Sequence, residues 1–128
     1  MKFPFDHSFS PPMPMMVIAL RNEDEGLSTE PLNALVDTGA DGTVVPEVYL
    51  KSIRAPLIGR ARSRSHLGVR YVVLRIADVQ IAELTLPGVI IAADGVGREL
   101  TLGRDVLNRF SLLAIWWNTM ETTRVAGR

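Results

Sequence analysis

The chain is 128 residues long, which suits one domain and leaves no room for two. Apolar residues make up 47 %, enough for a real core, and the lack of cysteine excludes disulfides and cysteine-ligated zinc. Fourteen basic side chains balance fourteen acidic ones, which argues against a global nucleic-acid footprint, and two histidines are too few for an ordinary structural zinc site.

Residues 1–14 contain Pro4, Pro11, Pro12 and Pro14 among Phe3, Phe5 and Phe9. Four missing backbone donors predict an extended arm ahead of a single domain over residues 15–128. Met15 to Arg21 reads as a strand, and Asn22-Glu23-Asp24-Glu25-Gly26 as a polar turn. After Pro31, Leu32 to Val36 reads as a strand running straight into Asp37. Val44-Val45 is a short strand, and Pro46-Glu47 suits the first turn of a helix reaching about Ser52.

From Leu57 the period becomes two, with Arg60, Arg62 and Arg64 on one strand face. Ser65-His66-Leu67-Gly68 suits a hairpin tip, and Val69 to Ala77 the returning strand, rich in Tyr71, Val72, Val73, Leu74 and Ile76. Ile81 to Leu86 and Val89 to Ala93 read as two further strands broken by Pro87-Gly88. A helix begins near Arg104, with Val106, Phe110 and Leu113 at helical spacing and Asp105 suited to the helix dipole. Leu112 to Trp117 reads as a last strand. No acid lies between Glu47 and Asp78, yet Lys51, Arg54, Arg60, Arg62, Arg64, Arg70 and Arg75 all do.

The chemistry is concentrated in Ala34-Leu35-Val36-Asp37-Thr38-Gly39-Ala40-Asp41-Gly42-Thr43-Val44. An apolar strand delivers a carboxylate to a turn. Thr38 carries a hydroxyl that can bond backbone groups, and Gly39 permits positive φ and close backbone approach. An Asp-(Thr/Ser)-Gly triplet alone occurs by chance in about one chain in twenty of this size. Here the apolar flank before it and Ala40-Asp41 after it narrow the reading. A phosphatase of the Asp-x-Asp-Gly-Thr kind fails on spacing, because position 39 is Gly.

The segment resembles the active-site loop of the retropepsin family, the retroviral and retroviral-like aspartic proteases. A second match is Leu100-Thr101-Leu102-Gly103-Arg104-Asp105-Val106-Leu107, which resembles the family's apolar-Gly-Arg-(Asp/Asn)-x-Leu segment near the C-terminus. Gly59 to Leu74 occupies the place of the flap hairpin. The resemblance covers about Met15 to Trp117 and is closest to stand-alone cellular and bacterial members. It implies an all-β fold, a small closed acid-protease barrel with one short C-terminal helix, assembled as a homodimer.

By the same resemblance, Asp37 is the catalytic carboxylate, and Thr38, Gly39 and Ala40 complete its loop. Thr38 would hydrogen-bond across the dimer. Gly39, Asp41 and Gly42 would contact the substrate backbone, and Ser65, His66, Leu67 and Gly68 would close over it. Leu102, Gly103 and Arg104 would support the loop from below, Arg104 pairing with Asp41. The implied reaction is endopeptide hydrolysis without metal or organic cofactor.

The chemistry agrees from first principles. Two carboxylates about 3 Å apart cannot both ionise, so one acts as base and the other as acid. The sequence holds one such loop, so two chains must supply the pair across a two-fold axis. The expected partners are a second copy and a peptide or protein substrate, with neither nucleic acid nor membrane. The same residues also admit a dimeric module that binds peptides without cutting them, and a purely structural dimerisation domain. Apolar runs such as Met15 to Leu20 are strand length, and the N-terminus lacks a continuous apolar stretch, so a cytoplasmic protein is expected.

Overall fold

The computed structural model describes residues 5–6, 13–65 and 68–112. In chain order the elements are β1 (Phe5–Asp6), β2 (Met13–Asn22), β3 (Leu27–Ser28), β4 (Leu32–Val36), β5 (Val44–Pro46), α1 (Glu47–Ser52), β6 (Leu57–Ser65), β7 (Gly68–Ile81), β8 (Leu84–Asp94) and β9 (Leu100–Leu102). A second helix, α2, covers residues 104–112. The architecture is all-β with short helices at two corners.

The strands form one sheet in the order β1-β2-β4-β9-β5-β8-β7-β6. β2 also pairs with β7, setting Ala19 against Gln80 and Leu20 against Val79. That pairing closes β2, β4, β9, β5, β8 and β7 into a six-stranded barrel. Closure leaves few unpaired edges, and a barrel this small fills with its own side chains. Alternation decides which: Met16, Ile18 and Leu20 of β2 point inward, while Val17 between them is 54 % exposed. Val79 and Ile81 of β7 and Ile91 of β8 meet them in the core. Val106 and Phe110 of α2 add one helical face to the same core.

The end of α1 shows how a polar residue serves this core. The Ala55 N–H donates to the Leu50 carbonyl at 2.9 Å and the Arg54 N–H to Lys51 at 3.0 Å, a Schellman closure. Arg54 occupies the left-handed position, φ +56°, usually given to glycine. Asn22, largely buried, donates its side-chain amide to the Ile53 and Arg54 carbonyls, both at 3.0 Å. The residue expected only as part of a turn therefore also ties β2 to α1.

Three sequence readings need correction. First, residues 81–86 are not one strand: β7 runs on to Ile81, turns at Ala82-Glu83, and β8 begins at Leu84. The turn was hard to see because its left-handed residue is Ala82, φ +54°, not glycine or asparagine. Second, Pro87-Gly88 does not break β8. Val79 pairs with Leu86 and Ala77 with Val89, so β8 spends two residues opposite Asp78. In this bulge Gly88 takes φ +62° and donates its N–H to the Asp78 carboxylate at 2.9 Å. The proline has no N–H to lose, and its carbonyl accepts from Arg109 of α2 at 2.7 Å. Third, Leu112 belongs to α2 and not to a strand; residues 113–117 lie outside the described residues, and with them Leu113, Trp116 and Trp117.

Among the described residues no helix is long and apolar enough to cross a membrane.

Candidate active site

Asp37 follows β4 directly. β9 lies beside β4 in parallel, with Ala34 opposite Leu100 and Val36 opposite Leu102. On its other side β9 meets β5, Thr101 opposite Val44. β9 is therefore threaded between the two strands that the Asp37 loop connects. Because β4 and β9 run the same way, Asp37 and Gly103 leave the sheet at the same end.

A ladder of hydrogen bonds then clasps the two segments. The Asp37 N–H donates to the Leu102 carbonyl at 3.0 Å, Arg104 N–H to Ala40 at 2.8 Å, and Asp105 N–H to Asp41 at 3.3 Å. The last two donors belong to the first turn of α2, which has no intrahelical acceptors for them. The loop carbonyls supply those acceptors. Beneath the loop, Thr43 is 1 % exposed. Its hydroxyl donates to Asp105 Oδ1 at 2.8 Å and accepts the Gly103 N–H at 3.1 Å, and its own N–H reaches Asp105 Oδ2 at 3.3 Å.

The Asp37 side chain is half-buried. Its Oδ1 accepts the Gly39 N–H at 2.9 Å, and its backbone carbonyl accepts the Ala40 N–H at 3.2 Å. This turn fixes one carboxylate oxygen. Thr38, Gly39, Asp41 and Gly42 are exposed around it, and Ala40 is half-buried.

The fold has a counterpart among solved structures. EIAV protease in complex with the inhibitor HBY-793 superposes with a TM-score of 0.58 over 77 % of this chain and 88 % of the viral one, at 18 % identity. The fold is retropepsin-like. No family model and no curated protein matches the chain in sequence.

Within this retropepsin-like barrel, Asp37, Thr38, Gly39, Ala40, Asp41 and Gly42 form one cluster with Leu102, Gly103 and Arg104. Ser65 and Gly68 sit elsewhere, paired at the far end of the β6–β7 hairpin. His66 and Leu67, the other two residues expected to close over substrate, lie outside the described residues. Among the described residues no three His, Asp or Glu side chains converge to hold a metal ion.

Of the two reasons the sequence offers for Gly39, close approach and positive φ, the structure supports the first. Gly39 does not adopt positive φ; that conformation belongs to Gly26, Gly59, Gly68 and Gly88. A Cβ on Gly39 would stand 3.2 Å from Asp37 Oδ1, so the constraint is proximity to the carboxylate. Gly103 is tighter still, since its Cβ would fall 2.6 Å from the Gly42 carbonyl carbon and 3.0 Å from the Ala40 oxygen.

Arg104 meets Asp41 in an ion pair. Asp41 is 90 % exposed and Arg104 51 %, so solvent screens the pair heavily. The firmer brace is Thr43 with Asp105, which sequence reasoning assigned no role in the site. In the sequence Asp105 suits the helix dipole, and nothing local links it to Thr43. The signal available was the placement of a polar Thr43 directly before the apolar strand Val44-Val45-Pro46.

Proposed function

We propose that the chain is one subunit of a homodimeric aspartic endopeptidase whose reacting pair is Asp37 and its symmetry mate. The observation that carries this reading is a carboxylate at the end of β4, on a loop clasped to residues 102–105, in a fold shared with a viral protease that binds an inhibitor.

In the assembled pair one carboxylate is ionised and the other protonated. The ionised one accepts a proton from water as the water oxygen attacks the peptide carbonyl carbon. The protonated one hydrogen-bonds the carbonyl oxygen and delivers its proton there, giving a tetrahedral diol. The C–N bond then breaks, the amine leaves with a proton from the pair, and one diol hydroxyl returns its proton to the pair as the carboxylic acid product forms. Gly39, Asp41 and Gly42 line the substrate path, the β6–β7 hairpin covers it, and Thr38 joins the two loops. The cytoplasm is the proposed place of action, to be tested by fractionation.

The test is hydrolysis of a fluorogenic peptide library by the wild-type chain and by Asp37→Asn. The variant should lose roughly 10²–10⁴-fold or more in rate while its unfolding curve stays nearly unchanged. Specific activity should also fall on dilution as dimers dissociate. A variant that still cleaves, or a dilute monomer that cleaves at full rate, overturns the reading. A variant and a parent that both bind peptide and never cleave it identify the non-catalytic peptide-binding module instead.

A further inference from the structure

β6 ends the sheet: it pairs with β7 along one side, and among the described residues its other side pairs with no strand. Along that side, alternate residues of the nine-residue strand present their backbone N–H and C=O groups. Long edges of this kind are templates for a further strand. Two exposed arginines, Arg60 and Arg62, stand at alternate positions along it. The register sets Arg60 opposite Val73 and Arg62 opposite Tyr71, and Tyr71 is 68 % exposed. The sequence adds Arg64 two positions further on.

These two arginines differ from the other cations nearby. Lys51 and Arg75 are each held by Glu47, and Arg54 by Glu25. Among the described residues neither Arg60 nor Arg62 has an acidic partner, and the sequence from 48 to 77 contains no acid to supply one locally. In a chain of zero net charge, the edge strand is locally uncompensated.

We propose that the free edge of β6 accepts an extended segment of a partner protein carrying Asp or Glu at alternate positions. Such a segment adds as a strand, its backbone satisfying the open row. Alternate side chains of an added strand share one face, about 4.5–5.5 Å from their neighbours, so its carboxylates fall beside Arg60 and Arg62. A second copy of β6 does not fit, because it sets arginine against arginine. A nucleic acid offers phosphates to the guanidiniums but leaves the N–H and C=O row unmet. The edge belongs to the hairpin that the proposed function lays over the substrate path, so its binding is measured on a chain that lacks the Asp37 carboxylate.

Binding is read by fluorescence anisotropy on full-length Asp37→Asn protein, which separates binding from any turnover. The probes are a labelled peptide alternating Val and Glu, the same peptide with Gln for Glu, one with Lys, and a single-stranded oligonucleotide. The Glu peptide should bind and weaken with added salt. The Gln peptide should be weaker by roughly three- to tenfold, as expected for two exposed ion pairs. Arg60→Glu with Arg62→Glu should reverse the preference towards Lys, and Arg60→Gln with Arg62→Gln should abolish the preference without the charge reversal. N-methylation of alternate peptide nitrogens should abolish binding, since it removes the donors the edge requires. Equal binding of the Glu and Gln peptides, indifference to both double substitutions, or an oligonucleotide that outcompetes the Glu peptide overturns the proposal.

Discussion

Thr43 and Asp105, 62 positions apart in the chain, share two hydrogen bonds that fasten the Asp37 loop to the start of α2. The Thr43 hydroxyl is both a donor to Asp105 and the acceptor for Gly103. Thr43→Val keeps the shape and leaves the Gly103 N–H and one Asp105 oxygen without that hydroxyl. The expected loss is about 2 kcal/mol in denaturant unfolding, with Thr43→Ser restoring most of it. Arg104→Gln, which loses only the screened pair with Asp41, should cost at most about 1 kcal/mol. If the arginine change proves the more damaging in folding, the assignment of the main brace to Thr43 is wrong.

Gly103→Ala tests the close approach of the clasp. Its methyl group would press on the Gly42 and Ala40 backbone, and neither can swing aside as a side chain could. Overpacking of this kind typically costs about 1–3 kcal/mol. Peptidase activity should fall further than stability, because the displaced segment carries Asp37. Thermal unfolding and kcat/KM measured on the same preparation give the comparison.

Mixing tests the sharing of the site. Adding excess Asp37→Asn chain to a fixed amount of wild type should draw wild-type subunits into mixed dimers with a single intact carboxylate. Cleavage should decline as the variant is titrated in. Constant activity would mean that each chain works alone.

The same pairing predicts the pH profile of kcat/KM. The pair must hold one proton. At low pH both members are protonated and the base is lost; at high pH both are ionised and the acid is lost. The rate should therefore be bell-shaped, with mildly acidic pH favoured. A profile with a single limb would rule out a shared proton.

Ala82→Gly tests the β7–β8 turn independently of any function. An L side chain at φ +54° is disfavoured, and glycine is not. The change should raise stability by about 1 kcal/mol in denaturant unfolding, less the extra entropy of the unfolded glycine. A destabilised variant would show that the Ala82 methyl makes a contact that outweighs the strain.

The sequence was legible wherever a local rule operated. β4 announced itself as an apolar run ending in Asp37, and α1 by Pro46-Glu47 followed by a short helix. The β6–β7 hairpin followed from period-two patterning that starts at Leu57 and from the β-propensity of Val69 to Ala77. Local rules misled where tertiary context overrode them. Pro87 ordinarily ends a strand, but a bulge opposite Asp78 needs no N–H from it. Ala82 is not a turn signal, yet strong pairing on either side holds it in one. β9 is three residues long, too short to show a period, and its place between β4 and β5 is a property of the whole chain. Within the site, Asp37 was visible from its flanks, whereas the Thr43–Asp105 bond spans too many residues for any motif to reveal.

The threading of β9 has a temporal side. Residues 100–105 are synthesised more than sixty positions after Asp37, and the clasp cannot form before they arrive. A nascent chain emerging from the ribosome therefore carries Asp37 on an unfastened segment until residues 100–105 have been made. Closure of so distant a contact is slow compared with local hairpins. The order of translation thus keeps a half-built chain from presenting an assembled loop.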